Sequence, residues 1–160
     1  MKKDTHDYIP ASAIILNHQG QVLTIQQNHE PILPWVSGIT ASEQIEHPER
    51  TSLGKLYEVL SHKALINKRW LHYKEKAENP RSCHFPNKTD GQTTHANANF
   101  VTFHLLQLTQ NVEYLGNNFA WMSWDDFLAK TYGDLRPIYA DIHDIFRINY
   151  RIAELTAQTA

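Results

Sequence analysis

One apolar stripe constrains the fold of this chain more than any other feature. Leu53, Leu56, Tyr57, Leu60 and Ala64 recur at helical spacing and define a single face, while Arg50, Gly54, Glu58 and His62 share the opposite one. Pro48 suits the first position of this helix, and Glu49 favours the positive end of its dipole. Gly54 weakens the helix by about 1 kcal/mol relative to alanine without overturning it. Strand patterns lie on both sides. Residues 11–17 read as a buried strand, His18 to Gln21 as a turn, and 22–26 as an alternating return strand, which together predict a hairpin. Residues 99–108 read as a second buried strand, with apolar residues on both faces. The pattern is that of an α/β domain.

The remaining segments fill in the order. Pro31 and Pro34 break the chain before Trp35-Val36-Ser37-Gly38, and residues 68–76 suit a partly exposed strand. Residues 79–96 are rich in Asn, Pro, Thr, His and Gly, a longer loop than compact domains usually carry. Residues 120–124 form a short strand, and Asp125 to Leu128 open a helix for which Ser123 or Asp125 is the cap. A last helix is predicted over 137–155, with Ile138, Ile142, Ile145, Phe146 and Ile152 on its apolar side. There are no internal repeats and no boundary for a second domain, so residues 1–160 read as one domain with its core between about 8 and 150.

Composition removes several functional classes. At 41 % apolar and 11 % aromatic, the chain is globular in type, and 160 residues suffice for a substantial core. Fifteen basic against seventeen acidic residues give no support to a general nucleic-acid or membrane-surface role. The single Cys83 excludes an internal disulfide and a paired-cysteine zinc site, and it fits a reducing compartment. No apolar run approaches the roughly 18 residues of a spanning helix. The polar start, residues 1–7, is followed by no signal-type apolar core, so a cytoplasmic location is expected. Ten histidines are many for this length, but they are scattered and imply no dense metal cluster.

Three stretches in this order resemble the Nudix superfamily. Residues 13–25 look like its opening hairpin, 35–65 like its loop–helix box, and 121–128 (Trp-Met-Ser-Trp-Asp-Asp-Phe-Leu) like its tryptophan-ended strand and acidic helix start. The resemblance implies an α/β/α sandwich around a mixed sheet. The family's box is a glycine, five residues, a glutamate, seven residues, then Arg-Glu-aliphatic-any-Glu-Glu-any-Gly. With Leu56 as its aliphatic position, Glu46 and Glu58 match the first glutamate and the glutamate two residues past the aliphatic. Gly54, Lys55, Val59 and Ser61 replace the arginine, two glutamates and the closing glycine, while the leading glycine falls on Thr40, two residues after Gly38.

The family's helix carboxylates hold magnesium or manganese against a diphosphate, where the ions neutralise phosphate charge and activate water. Here Lys55 puts a positive charge where a ligand belongs and Val59 offers no ligand atom. What the resemblance implies is therefore a divalent-cation site reduced to Glu58 and Glu46, with His62, four residues beyond Glu58, as a replacement donor. The alternative for Glu58 and His62 is a solvated helix face with an ordinary i,i+4 contact. Lys55 can instead meet phosphate as a point charge. Trp35 and Gly38 sit where the family places the loop before its helix, which implies either close backbone approach to a ligand or simply a turn glycine after a core tryptophan.

Other candidates have plainer explanations beside them. Trp70, His72 and Tyr73 can line a base-stacking pocket or pack into the core. Cys83 and His84 are adjacent, and neighbours on an extended chain seldom point at each other. Asp125 and Asp126 read as a helix start. Arg81, His84, Lys88 and His95 place a lid over an anion or belong to an ordinary insertion.

Two functions follow from the resemblance. One is hydrolysis of a pyrophosphate bond in a nucleoside diphosphate derivative, carried by Glu58 and Glu46 with magnesium or manganese. The other is a catalytically inactive Nudix-fold domain that binds a nucleotide-type ligand or a protein partner. A homodimer is compatible with either. A third possibility is an unrelated α+β domain.

Overall fold

The computed structural model describes residues 11–27, 30–36, 45–48, 51–79, 101–131 and 135–158. Seven strands form one mixed sheet: β1 (Ala11–Leu16), β2 (Gln21–Gln27), β3 (Glu30–Ile32), β4 (Trp35–Val36), β5 (Leu71–Asn79), β6 (Val101–Leu108) and β7 (Phe119–Ser123). The main path runs β3-β2-β1-β6-β5, with β4 also paired to β1 and β7 to β2. β1 lies parallel to β6, from Ala11 opposite Thr102 to Leu16 opposite Gln107, whereas the other pairings are antiparallel. The β1–β2 hairpin forms as expected. Its turn is closed by the Asn17 side chain, which accepts from the Gln19 and Gln21 amides, and by Gly20 at a φ of 76°.

Two cores result, one on each sheet face. Helix α1 (Ser52–Val59) covers the first, where Leu56, Leu60 and Ala64 pack on Ala13, Ile15, Leu23 and Leu106. Burying a leucine contributes roughly 1.5–3 kcal/mol, so the stripe read from sequence anchors this helix. Helices α2 (Trp124–Lys130), α3 (Leu135–Phe146) and α4 (Ile148–Gln158) cover the second face, over Ile14, Leu16, Val101, Phe103 and Leu105. This is an α/β/α sandwich.

Several boundaries differ from expectation, each for a local reason. Pro48 lies in a turn and α1 starts later, because the Thr51 side chain accepts from the Gly54 amide and caps it. After Val59 the helix widens into a π-turn over Leu60–Ala64 and stops at Leu65, which is left-handed at a φ of 63°. Residues 68–70 form a 3₁₀ turn capped by Asn67, so β5 begins at Leu71. The predicted terminal helix is two helices, because Arg147 turns left-handed at a φ of 53° and breaks it. Ile145, near the end of α3, is 48 % exposed and off the core, while beyond the break Ile148 and Leu155 are buried. Ser123, rather than Asp125, caps α2 by accepting from the Asp126 amide.

The Pro31–Pro34 segment overlaps β3 and leads into β4, two short strands that the prolines concealed. Ser12 Oγ and the Ala13 amide both donate to the Pro34 carbonyl, each at 2.9 Å. The Leu33 amide donates to the Tyr139 hydroxyl at 3.2 Å, and Thr131 Oγ1 donates to the Pro31 carbonyl at 3.2 Å. These bonds satisfy backbone groups that proline punctuation removes from a regular ladder.

Candidate functional site

The site centres on α1 and the sheet face beneath it. Lys55 is half-buried on the first turn and a half of the helix; Glu58, one turn on, is exposed. Val59 packs against the α1-side core, so the position that lacks a ligand atom contributes apolar surface instead. His62 is exposed in the π-turn, and among the described residues neither a hydrogen bond nor an ion pair joins it to Glu58. The widened turn replaces the regular register in which residues four apart stack. Glu46 belongs to a short helical turn with Ile45, and both are exposed.

A divalent cation needs several converging oxygen ligands. Among the described residues no group of three or more histidine, cysteine, aspartate or glutamate side chains is placed to hold a metal. Glu58 is the one carboxylate on α1, and Lys55 is a cation on the same helix. The donor set of the described residues does not fit the family's ion.

Trp35 lies apart from these residues. It pairs with Ser12 in the β1–β4 ladder and packs against the core beneath α2–α4, on the face away from α1. Its neighbour Val36 points to the α1 side, as strand alternation requires. Gly38 lies outside the described residues, as do Cys83, His84 and the other candidates between 80 and 100. Asp125 and Asp126 occupy the exposed first turn of α2, beside its positive end.

Sequence reasoning passed over the polar group most deeply set in this face. His104, in the middle of β6, is 6 % exposed, and its Nδ1 lies 2.9 Å from the Tyr73 hydroxyl. Burial, aided by the Lys76 ammonium, lowers its pKa to about 4. Tyr73 and Tyr57 both pack at the edge of the α1-side core, and burial raises both phenol pKa values. The Lys68 ammonium sits 5.0 Å above the Tyr57 ring. Of the three aromatics suggested for a stacking pocket, Trp70 and Tyr73 pack on this core and His72 is exposed. The available signal was a lone histidine within an apolar strand.

No protein-family model and no curated protein matches the sequence. Solved structures do match. RenU, a Nudix hydrolase from M. smegmatis, superposes with a TM-score of 0.60 at 8 % identity, covering 88 % of this chain and 87 % of its own. The chain has a Nudix fold. The Nudix sandwich is thereby confirmed as the arrangement that brings α1 onto the β1–β6 face. C. elegans Ap4A hydrolase is similar at a TM-score of 0.58 and 14 % identity, over 91 % of this chain and 98 % of that one. The E. coli dihydroneopterin triphosphate pyrophosphohydrolase is similar at 0.54 and 12 %, over 83 % and 92 %. At identities of 8–14 % the likeness is one of fold.

Proposed function

We propose that this chain is a Nudix-fold domain that binds a nucleoside diphosphate derivative without metal-assisted cleavage. The observation that carries the reading is the chemistry of α1: a half-buried Lys55 and a core-packed Val59 accompany a single exposed carboxylate, Glu58. A lysine attracts a phosphate directly, where a glutamate needs an intervening cation. Fold alone does not fix function, so the assignment rests on this helix and not on the sandwich.

Hydrolysis is the second reading. The solved relatives named as hydrolases favour it, as does the retention of Glu46 and Glu58 at matching box positions. One carboxylate with bound phosphate holds magnesium weakly.

A panel of nucleoside diphosphate derivatives separates the two. The purified chain is incubated with each, in magnesium, in manganese and in EDTA, with products read by mass spectrometry and binding by calorimetry. Binding in EDTA with no products is expected. Metal-dependent products that vanish in Glu58→Gln would make the protein a hydrolase and end the binding-only assignment.

A further inference from the structure

Among the described residues, only one of the two His104 ring nitrogens meets a hydrogen-bonding partner. One ring nitrogen faces the Tyr73 hydroxyl, and among the described residues the other has no hydrogen-bond partner, although the side chain is 6 % exposed. Buried polar atoms are seldom left this way, because an unmade bond forfeits the hydration of the group. Whichever tautomer is present, the second nitrogen is able either to donate or to accept a hydrogen bond.

Its surroundings define what kind of partner fits. His104 shares the α1 face of β6 with Leu106 and Leu108, and the β1 residue in register with it is Ala13. Ala11 stands opposite Thr102 on the same side, so two small residues flank the histidine along β1. On the other side Lys76 pairs with His104 and Glu78 with Thr102, and directly opposed residues share a face. Lys76 and Glu78 are exposed and Thr102 is half-buried, so among the described residues exposure on this face rises toward the start of β6. Tyr73 stands against the imidazole, its ring centroid 5.7 Å away at 54°, and Tyr57 approaches from α1.

We propose that the His104–Tyr73 pair is a recognition site for the edge of a nucleobase, lying beside α1 on the sheet. The inference rests on the nucleotide-binding reading above and specifies which part of the ligand enters this face. A phosphate brought against so buried a group would lose its hydration, while Lys76, the cation paired with His104 across the strands, stays exposed to solvent. A base loses little, because it is uncharged, and its rim of donors and acceptors matches a neutral imidazole. Aromatic faces such as those of Tyr57 and Tyr73 suit its planar rings. The low pKa of His104 is consistent with a neutral ring throughout the physiological range.

The test follows the His104 imidazole by NMR in the full chain, with its resonances assigned by their loss in His104→Gln. ADP, GDP, CDP and UDP are titrated in turn, with ribose 5-phosphate as the base-free probe. At least one nucleotide is expected to move the His104 nitrogen resonances. Its affinity should fall by on the order of tenfold or more in both His104→Phe and Tyr73→Phe, as loss of a buried hydrogen bond predicts. Tyr73→Phe keeps the ring and its packing, so its loss of affinity cannot be ascribed to unfolding. Nucleotide binding with unmoved His104 resonances, or with full affinity in both variants, would overturn this inference and leave the functional reading intact. An equal response to ribose 5-phosphate would overturn the assignment to the base. If none of the nucleotides binds the wild-type chain, the functional reading fails and takes this inference with it.

Discussion

The indole of Trp124 donates to Nδ1 of His143 at 2.7 Å, and the two rings lie stacked within 11° of parallel. Trp124 is 1 % exposed at the start of α2, so His143 on α3 is what satisfies its N–H. His143→Leu leaves that donor buried without a partner, a loss of about 1–3 kcal/mol. Urea unfolding followed by tryptophan fluorescence measures it. A midpoint equal to wild type would mean that water or a neighbouring group takes over the bond.

Gly116 meets the π-turn after α1 backbone to backbone. Its amide donates to the Ala64 carbonyl at 3.1 Å, and a Cβ placed on it would lie 1.6 Å from the Lys63 carbonyl oxygen. No side-chain rearrangement relieves a clash with backbone. Gly116→Ala is therefore expected to push the 110–118 segment off the π-turn and to destabilise by about 1–3 kcal/mol or more. Denaturant melts read this as a lower midpoint at an unchanged slope.

Stability should also respond to acid through His104. Its folded pKa of about 4 lies below the ordinary histidine value of 6.5, through burial first and Lys76 second. Between those two values the unfolded chain binds the proton and the folded chain does not, so stability falls as pH drops from about 6.5 toward 4. At about 1.4 kcal/mol per unit, the loss is on the order of 3 kcal/mol. His104→Leu should flatten the profile in that window. A slope that persists unchanged in the variant would assign the acid sensitivity to other groups.

Metal removal and charge removal should act differently on the proposed ligand site. EDTA is expected to leave ADP affinity unchanged. Lys55→Met, measured in EDTA, should weaken it by roughly tenfold or more, the scale of one charge-assisted bond. The reverse pattern, EDTA sensitivity with indifference to Lys55, would put a cation back at the phosphate.

What was legible in the sequence was what neighbours along the chain decide. The α1 stripe, the β1–β2 hairpin and a helix start at Ser123 or Asp125 depend on residues within a few positions of one another, so composition and spacing expose them. Lys55 and Val59 stood out only through the resemblance to the family's box, not through any local pattern. The tertiary structure decided the rest. In β6 both faces are apolar, so alternation could not say that His104 faces α1 or that Tyr73, 31 residues away, meets it. The side taken by Trp35 follows from its pairing with β1, a register set by strands distant in the chain. The break at Arg147 has no glycine or proline to announce it, and it lets Ile148 and Leu155 reach the core that one straight helix would have missed. Local patterns choose the elements; long-range pairing chooses which side chains meet.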